Sequence, residues 1–408
     1  MQRQLNIQPS SHNQQETHFG LASLPAESLP LVNFRLGDVG TTVTTTGGAT
    51  YFANNLGAWA LIDRIELYIG GVSVSKNNDV SGYASIQRTN QSGSKAADIL
   101  PILEGSNMNF TMLNNLITNY LVGTSQLQAG TTSPTFYLSL IGILGFCTGM
   151  LTKGGKKMVG PLLSPQMVES GIELVVYWRS TASIAADCNT ANPVTATNIY
   201  SPTLLVDYIQ QPELYKTLSR SNDLQFFYSD VVHDFYNIAT TTNGTVQTTS
   251  FIPKGFNGQT LQDLILAKRA GASTTLGTKV STAMNAESIM LKVNGISLLP
   301  QNVNTHALIK SYLQTTKVAD DLIAPIASDV FNYPNTNNIA DATASPVYGF
   351  LSYMGVNINQ NIASLAITYQ RTGSNTGQGN SAIQLDMYGI CNRLCLASNK
   401  NLIEVVDQ

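Results

Sequence analysis

The chain has 408 residues, a net charge of −3 and only 12% charged residues, against about 25% in a typical soluble protein. The length predicts two or three domains, and the slight acidity argues against a nucleic-acid-binding protein, which needs a basic surface. Thr, Asn, Ser and Gln supply much of the polar surface instead. Such a surface costs little to desolvate against another subunit, although Thr-rich strands and Asn-rich turns would give the same composition.

The chain begins with a polar stretch, MQRQLNIQPSSHNQQ, which has neither apolar periodicity nor the apolar centre of a signal peptide. Residues 1–28 are therefore predicted to form an N-terminal arm outside any core. The most apolar run, residues 136–151, has 16 residues and three glycines, whereas a membrane-spanning helix needs about 20 apolar residues. We interpret this run as a buried strand.

Alternation of apolar and polar residues is the main pattern along the chain. It occurs in residues 32–36, 61–69 and 172–178. Alternation with a period of two predicts antiparallel strands with one face on a core and the other toward solvent. Both tryptophans, Trp59 and Trp178, are assigned to such strands, with their side chains in the core.

Helical spacing is confined to three short segments, residues 108–121, 261–265 and 308–313. Long polar segments with turn-forming residues separate the predicted strands. They are residues 124–135, 180–202, 240–250, 332–346 and 372–381. Several exceed the usual hairpin length, and long loops of this kind are usually functional or mobile. The fold class is therefore all-β, with short inserted helices and long polar loops.

A hairpin pattern occurs twice, as LIDRIELYIGGVSV (61–74) and as AESIMLKVNGISLL (286–299), and the turns of the two copies are offset by 224 residues. The offset aligns Gly70 and Gly71 with Asn294 and Gly295. Gly-Gly and Asn-Gly both suit a two-residue turn with positive φ, the strongest short-range signal of a hairpin. These four residues are predicted to be structural turns that set strand register.

A second pair of similar strands follows in the same order. LLVDYI and IQLDMYGI are each an apolar strand that carries one Asp. Between the two copies, QQPELYKTLSRSND has a proline near its start and predicts a short connecting helix. We interpret the two halves as copies of one β-domain with loops of different length, although hairpin patterns also recur by chance.

The sequence contains no pattern typical of a catalytic, cofactor or metal site, and no enzyme activity is predicted. HExxH, GxSxG and a complete phosphate-binding loop are absent. The four histidines lack metal-ligand spacing and are predicted to be surface or turn residues. They are His12, His18, His233 and His306.

Two of the four cysteines, Cys391 and Cys395, lie in a predicted strand. Four strand residues span about 13 Å, beyond the limit of about 7 Å between the Cα atoms of a disulfide. They are therefore predicted to be free thiols, which favours assembly in a reducing compartment.

The order of these elements resembles the double jelly-roll major capsid proteins of tailless membrane-containing phages, virophages and nucleocytoplasmic large DNA viruses. The resemblance covers about residues 30–405 and is carried by IDRIELYIGGVSVSK, LLVDYIQQPELYKTL and SIMLKVNGISLLPQ. It implies two tandem eight-stranded jelly-roll β-sandwiches. The expected divisions are an arm (1–28), jelly roll 1 (29–209), a linker helix (210–222) and jelly roll 2 (223–408).

The resemblance also implies a function. Homotrimers with a pseudo-sixfold outline would tile an icosahedral shell, in contact with neighbouring capsomers and with minor capsid and vertex proteins. The N-terminal arm would reach these proteins or an internal lipid membrane, and the protein would be located in the virion after assembly inside the host cell. The alternatives are a secreted or surface β-sandwich binding module, such as an adhesin or lectin, and a carbohydrate-active jelly-roll enzyme.

Overall fold

The computed structural model describes residues 2–45, 50–51, 56–89, 103–105, 126–127, 135–148, 164–168, 170–186, 193–221, 223–270, 288–299, 353–373, 380–398 and 402–407. Strands predominate among these residues, in agreement with the predicted all-β class. None of the described helices is long and apolar enough to cross a membrane.

The first half of the chain holds fourteen of the described strands. They are β1 (Gln2–Ile7), β2 (Ser11–His12), β3 (Glu16–Gly20), β4 (Ser28–Pro30), β5 (Arg35–Val39), β6 (Thr41–Thr45), β7 (Thr50–Tyr51), β8 (Ile62–Ile69), β9 (Val72–Asn77), β10 (Gln126–Leu127), β11 (Phe136–Ser139), β12 (Ile172–Trp178), β13 (Val194–Ile199) and β14 (Thr203–Gln210).

The second half holds nine described strands. They are β15 (Asp223–Ile238), β16 (Val246–Phe251), β17 (Thr260–Ala270), β18 (Ser288–Val293), β19 (Ile296–Leu299), β20 (Tyr353–Asn361), β21 (Leu365–Thr372), β22 (Ile383–Ser398) and β23 (Leu402–Asp407). The described α-helices are α1 (Val80–Thr89), α2 (Gly145–Thr148), α3 (Thr181–Ala186) and α4 (Pro212–Arg220). The 3₁₀ helices are Leu21–Ser23, Gly57–Leu61 and Pro165–Met167.

Each half contains two larger antiparallel sheets. The first half has the orders β1–β14–β5–β11, with β4 also paired to β14, and β2–β3–β12–β8–β9. The second half has β15–β22–β17–β20, with β23 paired to β22, and β16–β21–β18–β19. Among the described strands, no sheet combines strands from before and after α4, which lies within the range predicted for a linker helix.

The predicted N-terminal arm over residues 1–28 is wrong. Strand β1 pairs with β14 from Gln2 to Ile7, and β3 pairs with β12. Phe19 of β3 is fully buried. An edge strand such as β1 is held in its sheet by backbone hydrogen bonds, which form whatever the side chains are. The polar composition of residues 2–7 therefore gave no indication of a strand.

The helix predicted at residues 261–265 is also wrong, because this segment lies in β17. The strand contains the continuous apolar run Leu264, Ile265, Leu266 and Ala267, and all four side chains are buried. A continuous apolar run does not distinguish a helix from a strand that is covered on both faces.

The predicted buried strand at residues 136–151 is shorter than expected. It ends at Ser139, and α2 occupies part of the remainder. Trp178 is buried in β12 as predicted, whereas buried Trp59 lies in a 3₁₀ helix, where its Nε1 donates to Glu104 Oε2 at 2.9 Å. The helices predicted at 108–121 and 308–313 lie outside the described residues.

Candidate functional site

The two predicted turns connect two hairpins, β8–β9 and β18–β19. Gly70 and Gly71 have φ values of +60° and +79°, and Asn294 and Gly295 have +51° and +81°. Positive φ at both central positions is the type I′ pattern, whose twist matches that of the flanking strands. The local backbone geometry is therefore the same in the two halves.

The surroundings of the two turns differ. A Cβ atom at Gly70 would lie 3.0 Å from Cγ1 of Ile403, which belongs to β23 in the second half. In the other turn, Asn294 Oδ1 accepts hydrogen bonds from the backbone N–H groups of Ala363 and Ser364 at 2.8 and 3.0 Å. The first turn packs against the other half of the chain, whereas the second binds a loop of its own half.

The two halves meet along a contact that we call the seam, formed by β9, α1 and α2 of the first half and β15, β22 and β23 of the second. Aromatic side chains pack across it. The ring centroids of Phe146 and Tyr228 are 4.7 Å apart, and those of Tyr83 and Tyr388 are 5.6 Å apart. These four residues belong to one apolar cluster that extends from the first half into the second.

Asp230 of β15 is the centre of a buried polar network in the seam. Its Oδ1 accepts a hydrogen bond from Ser75 Oγ of the first half at 2.8 Å, and its Oδ2 lies 3.1 Å from Arg393 Nη1. Burial raises the pKa of Asp230 to about 6, although Arg393 and Ser75 act in the opposite direction. The network joins the two halves, at the cost of a desolvated carboxyl group.

A second polar cluster in the seam contains His233 of β15. Its Nε2 lies 2.9 Å from Asp386 Oδ1 on β22 and 3.6 Å from Asp79 Oδ2, the residue that precedes α1. The Tyr388 hydroxyl donates to the same Asp79 oxygen at 2.7 Å. The prediction that His233 is a surface or turn residue is therefore wrong, since only 13% of its side chain is exposed.

The other histidines have different surroundings. His12 is half-buried and its Nδ1 lies 2.7 Å from Thr17 Oγ1. His18 lies between Glu16 and Glu173, and hydrogen bonds to these carboxylates outweigh the effect of burial and raise its pKa. His306 lies outside the described residues.

Sequence reasoning missed the His233 cluster because its members are far apart in the chain. Asp79 precedes α1, whereas His233 and Asp386 lie in β15 and β22, so the three residues share no local spacing. A weak signal was present in the lone Asp of the apolar strand LDMYGI, since a charged residue in such a strand needs a partner when buried.

Several large apolar side chains of the second half are exposed. Phe227 and Phe235 of β15 are 46% and 51% exposed, and Ile252 after β16 is 63% exposed. Among the described strands, β15 pairs with β22 alone. Exposed apolar side chains of this size are typical of surfaces that bind another protein chain.

No protein-family model and no curated protein matches the chain. Solved structures do match it. A PBCV-1 virus capsid structure matches with 12% identity and a TM-score of 0.55, over 100% of this chain and 97% of the other. The Sputnik virophage structure matches with 11% identity and a TM-score of 0.59, over 100% and 88%.

The mavirus major capsid protein matches with 10% identity and a TM-score of 0.51, over 99% of this chain and 90% of the other. Identities this low carry information about fold, and the matches extend over both halves. The chain therefore has the double jelly-roll fold of these capsid structures.

Proposed function

We propose that the chain is a major capsid protein whose homotrimers, with a pseudo-sixfold outline, tile an icosahedral shell. The observation that carries this proposal is the match over nearly the full length of both chains to a virus capsid and a major capsid protein. A single sandwich module would match one half of such proteins. The proposed role is structural and not enzymatic, and its location is the virion.

The seam supports the proposal. A pseudo-sixfold outline requires each of three chains to contribute two sandwiches in a fixed relation. Tyr228 and Tyr388 of the second half lie within the apolar cluster of the first, and Asp230 adds hydrogen bonds across the contact. A tightly packed, hydrogen-bonded contact of this kind resists hinge motion.

The surface composition supports contacts between copies. Only 12% of the residues are charged, and Phe227 and Phe235 of β15 are exposed. Apolar and aromatic residues are the usual centre of an interface, whereas charged residues are depleted there. We place the contact between subunits, or between neighbouring capsomers, on this surface. Minor capsid and vertex proteins are the further partners that a shell of this kind requires.

Lipid contact is not included in the proposal. It was expected through an N-terminal arm, but residues 2–20 contain strands that pair within the sheets of the first half. These strands are not available as a free arm while their pairing persists.

Size-exclusion chromatography with light scattering tests the proposal. A trimer of about 132 kDa, three times the chain mass of 43.9 kDa, or a larger shell is the expected result. Phe235→Ser should shift the protein toward monomer if β15 forms the contact, whereas Asn237→Ser on the same strand, also exposed, should not. A stable monomer that binds glycans on an array would overturn the proposal in favour of an adhesin or lectin.

A further inference from the structure

We propose that Asp79, His233 and Asp386 bind a divalent transition-metal cation, for which Zn²⁺ is the probe, and that this ion links the two halves of the chain at the seam. An imidazole nitrogen and two carboxylate oxygens are ligands that Zn²⁺ and related cations accept. The inference does not depend on the proposed function.

Two of the separations between the ligand atoms are close to those found around one ion. His233 Nε2 lies 2.9 Å from Asp386 Oδ1 and 3.6 Å from Asp79 Oδ2, and all three atoms lie within 4.8 Å of one another. Ligand bonds of about 2.0–2.2 Å place neighbouring ligand atoms roughly 3–3.5 Å apart. The 2.9 Å contact alone would be an ordinary hydrogen bond. The 3.6 Å contact is longer than a hydrogen bond and is close to the separation of two ligand atoms on one ion.

A second histidine of this chain shows what distinguishes the cluster. His18 also has two carboxylate neighbours, but Glu16 Oε1 lies 3.3 Å from its Nε2, whereas Glu173 Oε1 lies 2.9 Å from its Nδ1. The two carboxylates therefore contact different nitrogens of the ring and do not converge on one point. At His233 both carboxylates face the same nitrogen, Nε2. A metal site requires a nitrogen and carboxylate oxygens grouped around one point, and of these two clusters only the His233 cluster brings both carboxylates to the same side of the ring.

The surrounding residues fix the ligands in position. Tyr388 Oη donates to Asp79 Oδ2, and Gln384 Nε2 donates to Asp386 Oδ1 at 2.8 Å. The His233 ring stacks on the ring of Tyr388, with centroids 4.8 Å apart. Hydrogen-bonded carboxylates and an oriented imidazole are the usual supporting contacts of a metal site.

Gly82 in α1 makes the approach of these groups possible. A Cβ atom there would lie 2.4 Å from both Asp79 Oδ2 and Tyr388 Oη. Glycine inside a helix is less favourable than alanine. Its presence here is explained by the space that Asp79 and Tyr388 occupy. Gly82→Ala is therefore a variant that displaces one ligand without changing any ligand's chemistry.

The test uses the full chain after chelation with EDTA and dialysis. Titration with Zn²⁺ and with Mn²⁺, followed by calorimetry and by the melting temperature, should show saturable binding of one ion per chain and a rise in Tm that EDTA reverses. His233→Gln and Asp386→Asn should lose at least ten-fold in affinity and lose the Tm rise. Gly82→Ala should weaken both, and Tyr388→Phe, which removes the hydroxyl that donates to Asp79, should weaken the affinity.

His18→Gln is the matched control and should bind one ion with unchanged affinity. Equal losses in His18→Gln and His233→Gln would indicate surface coordination by histidines in general and would overturn the site. Absence of saturable binding in the wild-type protein would overturn it as well, and this measurement holds even if a variant fails to fold. Retention of the trimer in either case would leave the proposed capsid role untouched.

Discussion

Ser75 in the first half donates a hydrogen bond of 2.8 Å to Asp230 in the second half, at a point where both side chains are buried. This contact, with Arg393 on the other carboxylate oxygen, joins the halves through a group that is costly to bury in its charged form. The stability of the folded chain therefore depends on pH.

The direction follows from the pKa of Asp230, which burial raises from 3.8 to about 6. Between about pH 4 and pH 6 the folded chain holds this proton more tightly than the unfolded chain does, so the contribution of Asp230 to stability falls as pH rises through this window. In Asp230→Asn, the free energy of unfolding should no longer show this part of its decrease with pH. Urea midpoints measured from pH 4 to pH 7 check it, with Glu213→Gln on exposed α4 as the control. A slope unchanged in Asp230→Asn would contradict the assignment.

The turns at Gly71 and Gly295 should depend on glycine for backbone reasons alone. Both have φ near +80°, and a Cβ atom at either would meet nothing within 4 Å. Val or Ala at either position should lower the free energy of unfolding by roughly 1–2 kcal/mol, because residues other than glycine adopt a left-handed backbone conformation only at a cost of this size. Gly20→Ala, in open space with ordinary φ, should be close to neutral. Denaturant titration compares the three positions, and equal stability in all of them would refute the turn assignment.

Deletion of residues 1–24 should destabilise the first half and not only impair shell assembly. The deletion removes β1 and β3 and uncovers their partners, β14 and β12. Phe19→Ala tests the same region by a single change and should cost roughly 3–5 kcal/mol, the range for a buried Phe. Thermal melting with limited proteolysis measures both. A truncated chain with unchanged Tm would show that these strands contribute nothing to the fold.

The thiols of Cys147 and Cys395 should resist alkylation in the native protein. Burial raises the pKa of both to about 12, and neither side chain is accessible. Iodoacetamide at pH 8 should label them only after denaturation, because the thiolate is the reactive form. Mass spectrometry of the peptides gives the readout, with Thr217→Cys on exposed α4 as a positive control. Rapid native labelling of Cys395 would indicate that the seam opens readily.

Sequence patterns predict those parts of the fold in which one face of an element is buried. Strand β12 alternates as expected, with Ile172, Leu174 and Val176 inside. Strand β17 was misassigned because it is buried on both faces, and β1 because an edge strand needs few apolar residues. In both cases tertiary contacts, and not local spacing, determine the structure.

The candidate metal cluster was not predictable for a different reason. Asp79 and Asp386 are brought together by the packing of the two halves, and a single sequence carries no record of such long-range proximity. The two turns could be predicted from the sequence because Gly-Gly and Asn-Gly determine the turn through the backbone conformation of those two residues alone. What surrounds each turn, such as Ile403 beside Gly70, depends again on the packing of the halves.

Strand β17 has a consequence for how separable the two halves are. Ile265 and Ala267 belong to the apolar cluster shared with the first half, whereas Leu264 and Leu266 belong to the cluster inside the second. The sheet that contains β17 therefore packs against both apolar clusters, one on each of its faces. Although the halves share a hairpin pattern, excision of the second half would present Ile265 and Tyr388 to water. Chimeras between related chains should therefore exchange the residues on both faces of this sheet together.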